Sequence, residues 1–417
     1  MGQHHTHLAA AVPVPAETVQ AFLALARELR TQLRDNQELC DAQGTYSAQL
    51  HEFFIEHGFY KLLQPKRYGG LEFDLGDFYQ IMIEVSQGHP ALGWNLTLGA
   101  AHSLTFAAHW PQAVQDEIFG VDGHFVAPHR AFPSGHCVKV PGGYRVSGTF
   151  NYCTGITYST HAIITVVDGS AEQGAPALNC LVPRSSYTIV DDWGGSETLG
   201  MRASGSNSIC LDDVFVPDRM ATPFVGFFAN QDVSDGTAGT RLHGNPLYLG
   251  YLMLPYHANL LAPIIGAARA ALDEYKRIIE VSPLPFSPGQ SRSQDANYQR
   301  AYGQALVQTD AAEAILLHVC AQHKALAERW RQTGEPISIS ENLRAWGTLQ
   351  QAGRQACEAV ELLFRTAGTS QARSQAKLLR YFSDIQMYRG HVGAQWETFS
   401  TYVARAELGL PVGFLQL

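Results

Sequence analysis

Residues Gly142–Gly155 read GGYRVSGTFNYCTG. The Gly-Gly pair opens a turn. Tyr144, Val146 and, past Gly148, Phe150 and Tyr152 then alternate with polar residues, the two-residue period of a half-buried strand. The run ends in the small, hydroxylated Cys153-Thr154-Gly155. Ala162–Val167 follows a short turn later and is apolar enough to be the buried partner strand. Taken alone, this is an ordinary hairpin. A strand pair that ends in backbone amides, a thiol and a hydroxyl also offers donors edge-on to a flat polar ring.

On either side of it, from Phe125 to Val216, the chain is a series of short β-rich runs. They are Phe125–Ala127, Tyr144–Tyr152, Ala162–Val167, Leu178–Val182, Thr188–Val190 and Ile209–Val216, separated by Gly, Pro, Ser and Asp. That spacing predicts a small barrel or sandwich over residues 122–220.

Upstream, residues 16–121 read as helical. Val19, Phe22, Leu23, Ala26, Leu29 and Leu33 share one helical face. Leu50, Phe53, Phe54 and His57 mark a second helix with Gly58 as its stop. Phe78, Ile81, Met82 and Val85 mark a third, and Leu92–Phe119 gives one or two more, broken at Pro111. Downstream, residues 217–245 are rich in loop formers. Four long helical stretches then follow, to about Val281, over about Ala296–Thr333, from the capping box Ser338-x-x-Glu341, and over about Ser374–Glu407. Four long helices on short loops predict a four-helix bundle within residues 221–417.

The composition excludes several classes. With 46% apolar and 16% charged residues the 417-residue chain is globular. A net charge of −9 with no basic block argues against nucleic-acid binding. The seven cysteines show no CxxC and no regular spacing, which predicts reduced thiols and a cytoplasmic protein. No signal peptide is apparent, and His4, His5 and His7 read as a flexible tail within residues 1–15 rather than a metal site. Asn245–Ala268 carries no charged side chain, but Pro246, Pro255 and Pro263 interrupt it, so it reads as a buried helix with its approach loop and not as a membrane span. There is no GxGxxG, Walker loop, HExxH or GxSxG.

The order helical domain, β-domain, long bundle comes with a set of local matches. They are Pro65–Gly70 (PKRYGG), Gly93-Trp94, Gly142–Gly155, Gly200–Ser206 (GMRASGS), Val214–Asp218 (VFVPD), Asn245–Tyr248 (NPLY), Gly266–Ala271 (GAARAA) and Asp384-Ile385 followed by His391. Over residues 20–410 the chain resembles the acyl-CoA dehydrogenase superfamily. Within it, the chain resembles the oxygenase components of two-component flavin-dependent monooxygenases, such as the 4-hydroxyphenylacetate hydroxylases.

The resemblance implies an α+β, acyl-CoA dehydrogenase-like fold with a central small β-barrel. It implies reduced flavin, FMNH2 or FADH2, delivered by a separate reductase, reaction with O2 through a flavin C4a-peroxide, and hydroxylation of a small, most simply aromatic, substrate by a homotetramer. Thr154 takes the place of a serine whose hydroxyl lies near flavin N5, and Phe150 replaces a tryptophan. Tyr152, Cys153, Gly155, Ser204 and Ser206 would complete the flavin contacts. His391 matches a histidine suited to protonating or stabilising the peroxide. His102 matches a histidine that takes a phenolic proton, with Trp94 and Phe106 lining the same substrate pocket and His109 its nearest competitor. Ser383 stands where the family has an arginine before Asp384, so the helix anchor is expected to differ.

Two alternatives stay open on sequence. One is an acyl-CoA dehydrogenase with a relocated base, because Met387–His391 (MYRGH) lacks the usual carboxylate and Glu397 is about two turns away. The other is a non-catalytic protein of the same fold.

Overall fold

The structure is a computed structural model that describes residues 17–120, 122–169, 177–195, 197–224, 233, 235–251 and 253–412. His4, His5 and His7 lie outside these residues.

The described chain opens with α1 (Val19–Asp35), α2 (Gln37–Gln43) and α3 (Ala48–Glu56). Thr18 and Ser47 cap α1 and α3 by accepting the N–H of Ala21 and Leu50. The sequence reading lacks α2, whose seven residues are too few to display a period. α4 (Leu75–Gly88), α5 (Pro90–His109) and α6 (Gln112–Phe119) follow, with the expected break at Pro111. Every residue of α5 from Pro90 to Ala108 is buried, so this helix is the hub of the molecule. Glycines bring its neighbours close. A Cβ on Gly93 of α5 would lie 2.0 Å from the Ser86 hydroxyl of α4. One on Gly266, in the first bundle helix, would lie 2.4 Å from the Ser86 Cβ.

The β-domain contains β1 (His129–Arg130), β2 (His136–Val140), β3 (Gly143–Phe150), β4 (His161–Asp168), β5 (Leu178–Pro183), β6 (Thr188–Ile189), β7 (Ile209–Pro217) and β8 (Ala221–Pro223). Three expectations are corrected here. First, β3 does not pair with β4. The order is β6-β7-β3-β2-β4-β5-β8, with β1 parallel to β4. Residues 151–160, with a 3-10 turn at Ile156–Tyr158, are too long for a tight hairpin, and β4 instead runs parallel to β2. Second, this path is open, so among the described residues the sheet is not a closed barrel. Third, Phe125–Ala127 is buried but not a strand. The Val126 carbonyl accepts from Thr160 N–H at 2.8 Å, and the regular ladder starts only at His129. The loop-rich connection also holds β8 and a short helix, α7 (Ala238–His243).

The C-terminal region contains α8 (Met253–Val281), a hairpin of β9 (Pro283–Leu284) and β10 (Ser287–Ser291), α9 (Ala296–Thr333), α10 (Ile339–Ala367), α11 (Lys377–Gly390) and α12 (Trp396–Glu407). The capping box forms reciprocally. Glu341 N–H donates to the Ser338 hydroxyl at 3.2 Å, and Ser338 N–H donates to the Glu341 carboxylate at 2.8 Å. The fourth predicted helix is in fact two. It breaks at His391, whose backbone is extended, between the weak helix formers Gly390 and Gly393. The Gln395 amide donates to the carbonyls of Arg389 and His391 and so satisfies the broken end. No helix among the described residues is long and apolar enough to cross a membrane, and the seven cysteines are free.

Candidate active site

Helix α5, the strand-end loops and the break after α11 meet around a cavity of about 420 Å³, within the usual range for a small-molecule site. Trp94, Leu98 and His102 reach it from α5 at intervals of four, one face of a helix. Four-residue steps drift about 40° each, so Phe106, the next in the series, turns away. It stacks on Phe125 at 4.8 Å in the core and is not in the lining, against expectation. His109 is not in the lining either; its Nε2 is 3.2 Å from the Gly250 carbonyl.

The loop after β3 supplies Tyr152 and Thr154, and Ser206 faces them. The hydroxyls of Thr154 and Ser206 are 2.8 Å apart, and those of Ser206 and Ser204 are 2.7 Å apart. Ser204 is fully buried behind Ser206 and outside the lining. Its proton has no other acceptor among the described side-chain contacts, and an unpaired buried hydroxyl proton is costly. Ser204 therefore donates to Ser206, and within the Ser206–Thr154 pair one hydroxyl donates to the other, which leaves one of these two protons for the cavity. Cys153 and Gly155, expected at the cofactor, do not line the cavity. The Cys153 thiol turns inward to the Phe150 carbonyl at 3.4 Å, and burial pushes it up to about 12. Gly155 takes the left-handed φ of 78° and spends its N–H on the carbonyls of Ser204 and Gly205. These two residues shape the loop that presents Thr154.

The two histidines face the cavity in opposite states. His102 Nδ1 is 2.8 Å from the Ala127 carbonyl, which can only accept. Nδ1 therefore carries the proton and Nε2 is a bare base. At His391 the Gly393 N–H donates to Nδ1 at 3.0 Å, so in the neutral ring the proton is on Nε2. Burial holds both rings down at about 4, and the Arg130 charge adds to this at His391. His391 is thus a neutral hydrogen-bond donor near pH 7, not the group titrating near working pH that its residue type suggested. Its ring meets Trp94 edge-on at 6.1 Å. His102 lies eight residues further along α5, about 12 Å by helical rise.

The sequence reading lacks Leu98, His129, Arg130, Trp193 and Met201, all in the lining. Met201 is held at φ 50°, and its N–H donates to Asp384 of α11 at 2.6 Å. Its carbonyl accepts from Trp193 Nε1 at 2.9 Å. Burial, with Asp41 nearby, pushes the Asp384 carboxyl up to about 7. In place of the absent arginine, Arg380, one turn earlier, anchors α11 to Asp41 at 2.8 Å and to Gln37 at 3.0 Å.

The model of the family "Acyl-CoA dehydrogenase, C-terminal domain" matches residues 259–396. The pigment production hydroxylase of Rhodococcus sp. (strain ATCC 21145) is 30% identical over 365 residues, 86% of this chain and 88% of that protein. The flavin-dependent monooxygenase, oxygenase subunit HsaA, of Mycobacterium tuberculosis is 26% identical over 398 residues, 94% and 97% of the two chains. The chain belongs to the acyl-CoA dehydrogenase-fold oxygenase components of two-component flavin-dependent monooxygenases. The solved structure of XiaF from Streptomyces sp., in complex with FADH2 and glycerol, has the same fold, with a TM-score of 0.84 over 97% of this chain and 98% of that one at 22% identity.

This oxygenase component uses reduced flavin and works alongside a reductase. Its residues fit such a ring. Trp94, Trp193 and Leu260 give apolar walls, and the Thr154–Ser206 pair gives one outward hydroxyl donor. No Asp or Glu lines the cavity among the described residues, and Glu397 is exposed on α12. The dehydrogenase alternative, which needs a carboxylate to remove an α-proton, therefore has no base here.

Proposed function

We propose that this oxygenase hydroxylates a small phenolic substrate between His102 and His391. The observation that carries this reading is the pair of opposite tautomers, a bare Nε2 on His102 and an Nε2–H on His391, facing one cavity. In the balanced reaction, substrate C–H, O2 and reduced flavin give substrate C–OH, water and oxidised flavin. Reduced flavin, held by Thr154 and Ser206, would supply the two electrons and the activation of O2.

The chain does the rest. His102 Nε2 takes the phenolic proton and makes the ring carbon electron-rich. His391 would offer its Nε2–H to the oxygen being transferred. Thr154, with Ser206 behind it, holds the cofactor edge, and the apolar walls exclude water. Tyr152, 54% exposed and edge-on to Trp193 at 4.8 Å, stands at the rim. The reading includes a homotetramer in the cytoplasm, as the family resemblance implies.

The test is anaerobic mixing of the purified protein with reduced FMN, and separately reduced FAD, followed by rapid addition of oxygen. A long delay before the oxidised-flavin spectrum returns, with phenols turned into catechols in its presence, supports the reading. Immediate reoxidation with either flavin, and peroxide as the only product, overturns it.

A further inference from the structure

One charged side chain in the cavity has no task in this scheme. Arg130, on β1, lines the cavity, and its buried Nε has no hydrogen-bond partner. Its guanidinium lies 5.8 Å from the Phe132 ring. The titratable groups sharing the lining are the neutral His102, His129 and His391 and the phenols Tyr152, Tyr256 and Tyr388, with no carboxylate among the described residues. The arginine's charge is felt around the wall, where it lowers His391 and His129 further. A guanidinium stays charged and is suited to a two-pronged grip on a carboxylate. A half-buried guanidinium with an unpartnered Nε, in a cavity whose described lining has no acid, is a ready partner for an anionic group on the ligand.

Arg130 is three residues from Ala127, whose carbonyl orients His102, and next to His129, whose ring meets His102 edge-on at 5.6 Å. Along the chain it therefore neighbours the substrate base, and its charge also reaches Tyr256, His391 and Cys153.

We infer that Arg130 binds a carboxylate on the substrate, so that this oxygenase takes phenolic acids in preference to uncharged phenols. This rests on the proposed phenol-hydroxylating reading and specifies its substrate class.

The test reads ligand binding without flavin, by quenching of tryptophan fluorescence, since Trp94 and Trp193 line the cavity. The probes are 4-hydroxybenzoate and 3-(4-hydroxyphenyl)propanoate, each beside its methyl ester. In the wild type at least one acid should bind about 10- to 100-fold tighter than its ester, the range of one charge-assisted contact. Arg130→Gln should erase that preference by weakening the acid alone, and Arg130→Lys should keep part of it. Affinity for reduced FMN and FAD should stay within about twofold in both variants.

Equal binding of acids and esters, or no binding of either acid, overturns the inference. So does an Arg130→Gln variant that loses reduced flavin and keeps the acid preference, which would give the arginine to the cofactor. Should uncharged phenols be hydroxylated with no dependence on Arg130, the inference fails and the oxygenase reading stands. Should the acids bind in the predicted way and never be oxidised, the reverse holds.

Discussion

Replacing His102 by asparagine separates the two jobs of its ring. The asparagine amide nitrogen sits at the same branch of the side chain as Nδ1, so it can still donate to the Ala127 carbonyl, now 2.8 Å from Nδ1. Nε2 has no counterpart, and the variant lacks only the base. No neighbour takes over. His129 is fixed by its Nε2–H to Asn179 Oδ1 at 3.3 Å, and burial, with the charges around it, holds that ring down at about 3, a still weaker base than His102. General-base catalysis contributes about 10²- to 10⁴-fold, and a ring held at about 4 is a weak base, so the hydroxylation step should slow by the lower end, about 10²-fold or about 2.7 kcal/mol of barrier.

The pH profile adds a second signature. Wild-type His102, held at about 4, is a free base at any pH above about 5, so its contribution is flat across neutral pH. In His102→Asn the reactive phenolate must form in solution, and the rate should climb about tenfold per pH unit towards the phenol's own value near 10. The assay is single-turnover hydroxylation with pre-reduced flavin at several pH values, with reduced-flavin affinity measured in parallel. A rate within about threefold of wild type throughout, or a variant profile as flat as wild type, would refute the proton-transfer role.

Other perturbations have equally definite outcomes. In His391→Asn the amide oxygen can still accept the Gly393 N–H, and the Nε2–H is lost. Oxidised flavin should return at least about 10-fold sooner after oxygen, with peroxide in place of product, and His391→Gln should recover part of the delay. Thr154→Val removes one hydroxyl of the Thr154–Ser206 pair and its hydrogen bond, a loss of about 0.5–1.5 kcal/mol. Thermal melting should register it, reduced flavin should bind more weakly, and Thr154→Ser should restore both.

Stability should also fall in acid. His89, His102, His129, His257 and His391 are all held at about 3–4 by burial, whereas the unfolded chain protonates them near 6.5. The unfolded state thus binds more protons between about 6.5 and 4, and stability drops as pH falls through that window. Asp384, raised to about 7, works the other way, favouring the fold towards low pH, as do the raised Asp41 and Asp77, but His51, His109, His161 and His323, also held at about 4, add to the histidine side. Melting temperatures across this range that rise with acidity would contradict the burial of these rings.

Much of this was legible in advance because helices and family order leave dense traces. The period of α1, the break at Pro111, the Ser338–Glu341 box and the span of α9 are local features, and the structure has them where the sequence places them. Strand partners are not local. β3 and β4 are neighbours in sequence, yet they do not pair: β3 lies between β2, just before it, and the distant β7, whereas β4 pairs with the earlier β1 and β2 and with β5. Thr154, His102 and His391 do reach one cavity, but the sequence could not say which nitrogen each imidazole turns inward, because Ala127 and Gly393 decide it. Leu98 was within reach of the same four-residue spacing that links Trp94 to His102. Arg130 was not, since a two-residue strand has no period, and Trp193 and Met201 sit in irregular chain.

The bond from Met201 to Asp384 makes α11 a ruler. One end is pinned to the β-domain through that 2.6 Å contact, and seven residues on the helix stops and hands over His391. The interval is about 10 Å of rise, at about 100° of rotation per residue. Adding or removing a single residue between positions 384 and 391 would swing the imidazole by about a quarter turn away from the cavity. The same change would displace Ile385 and Tyr388 from the core, so the packing of α11 and the aim of the imidazole are set by one and the same count of residues.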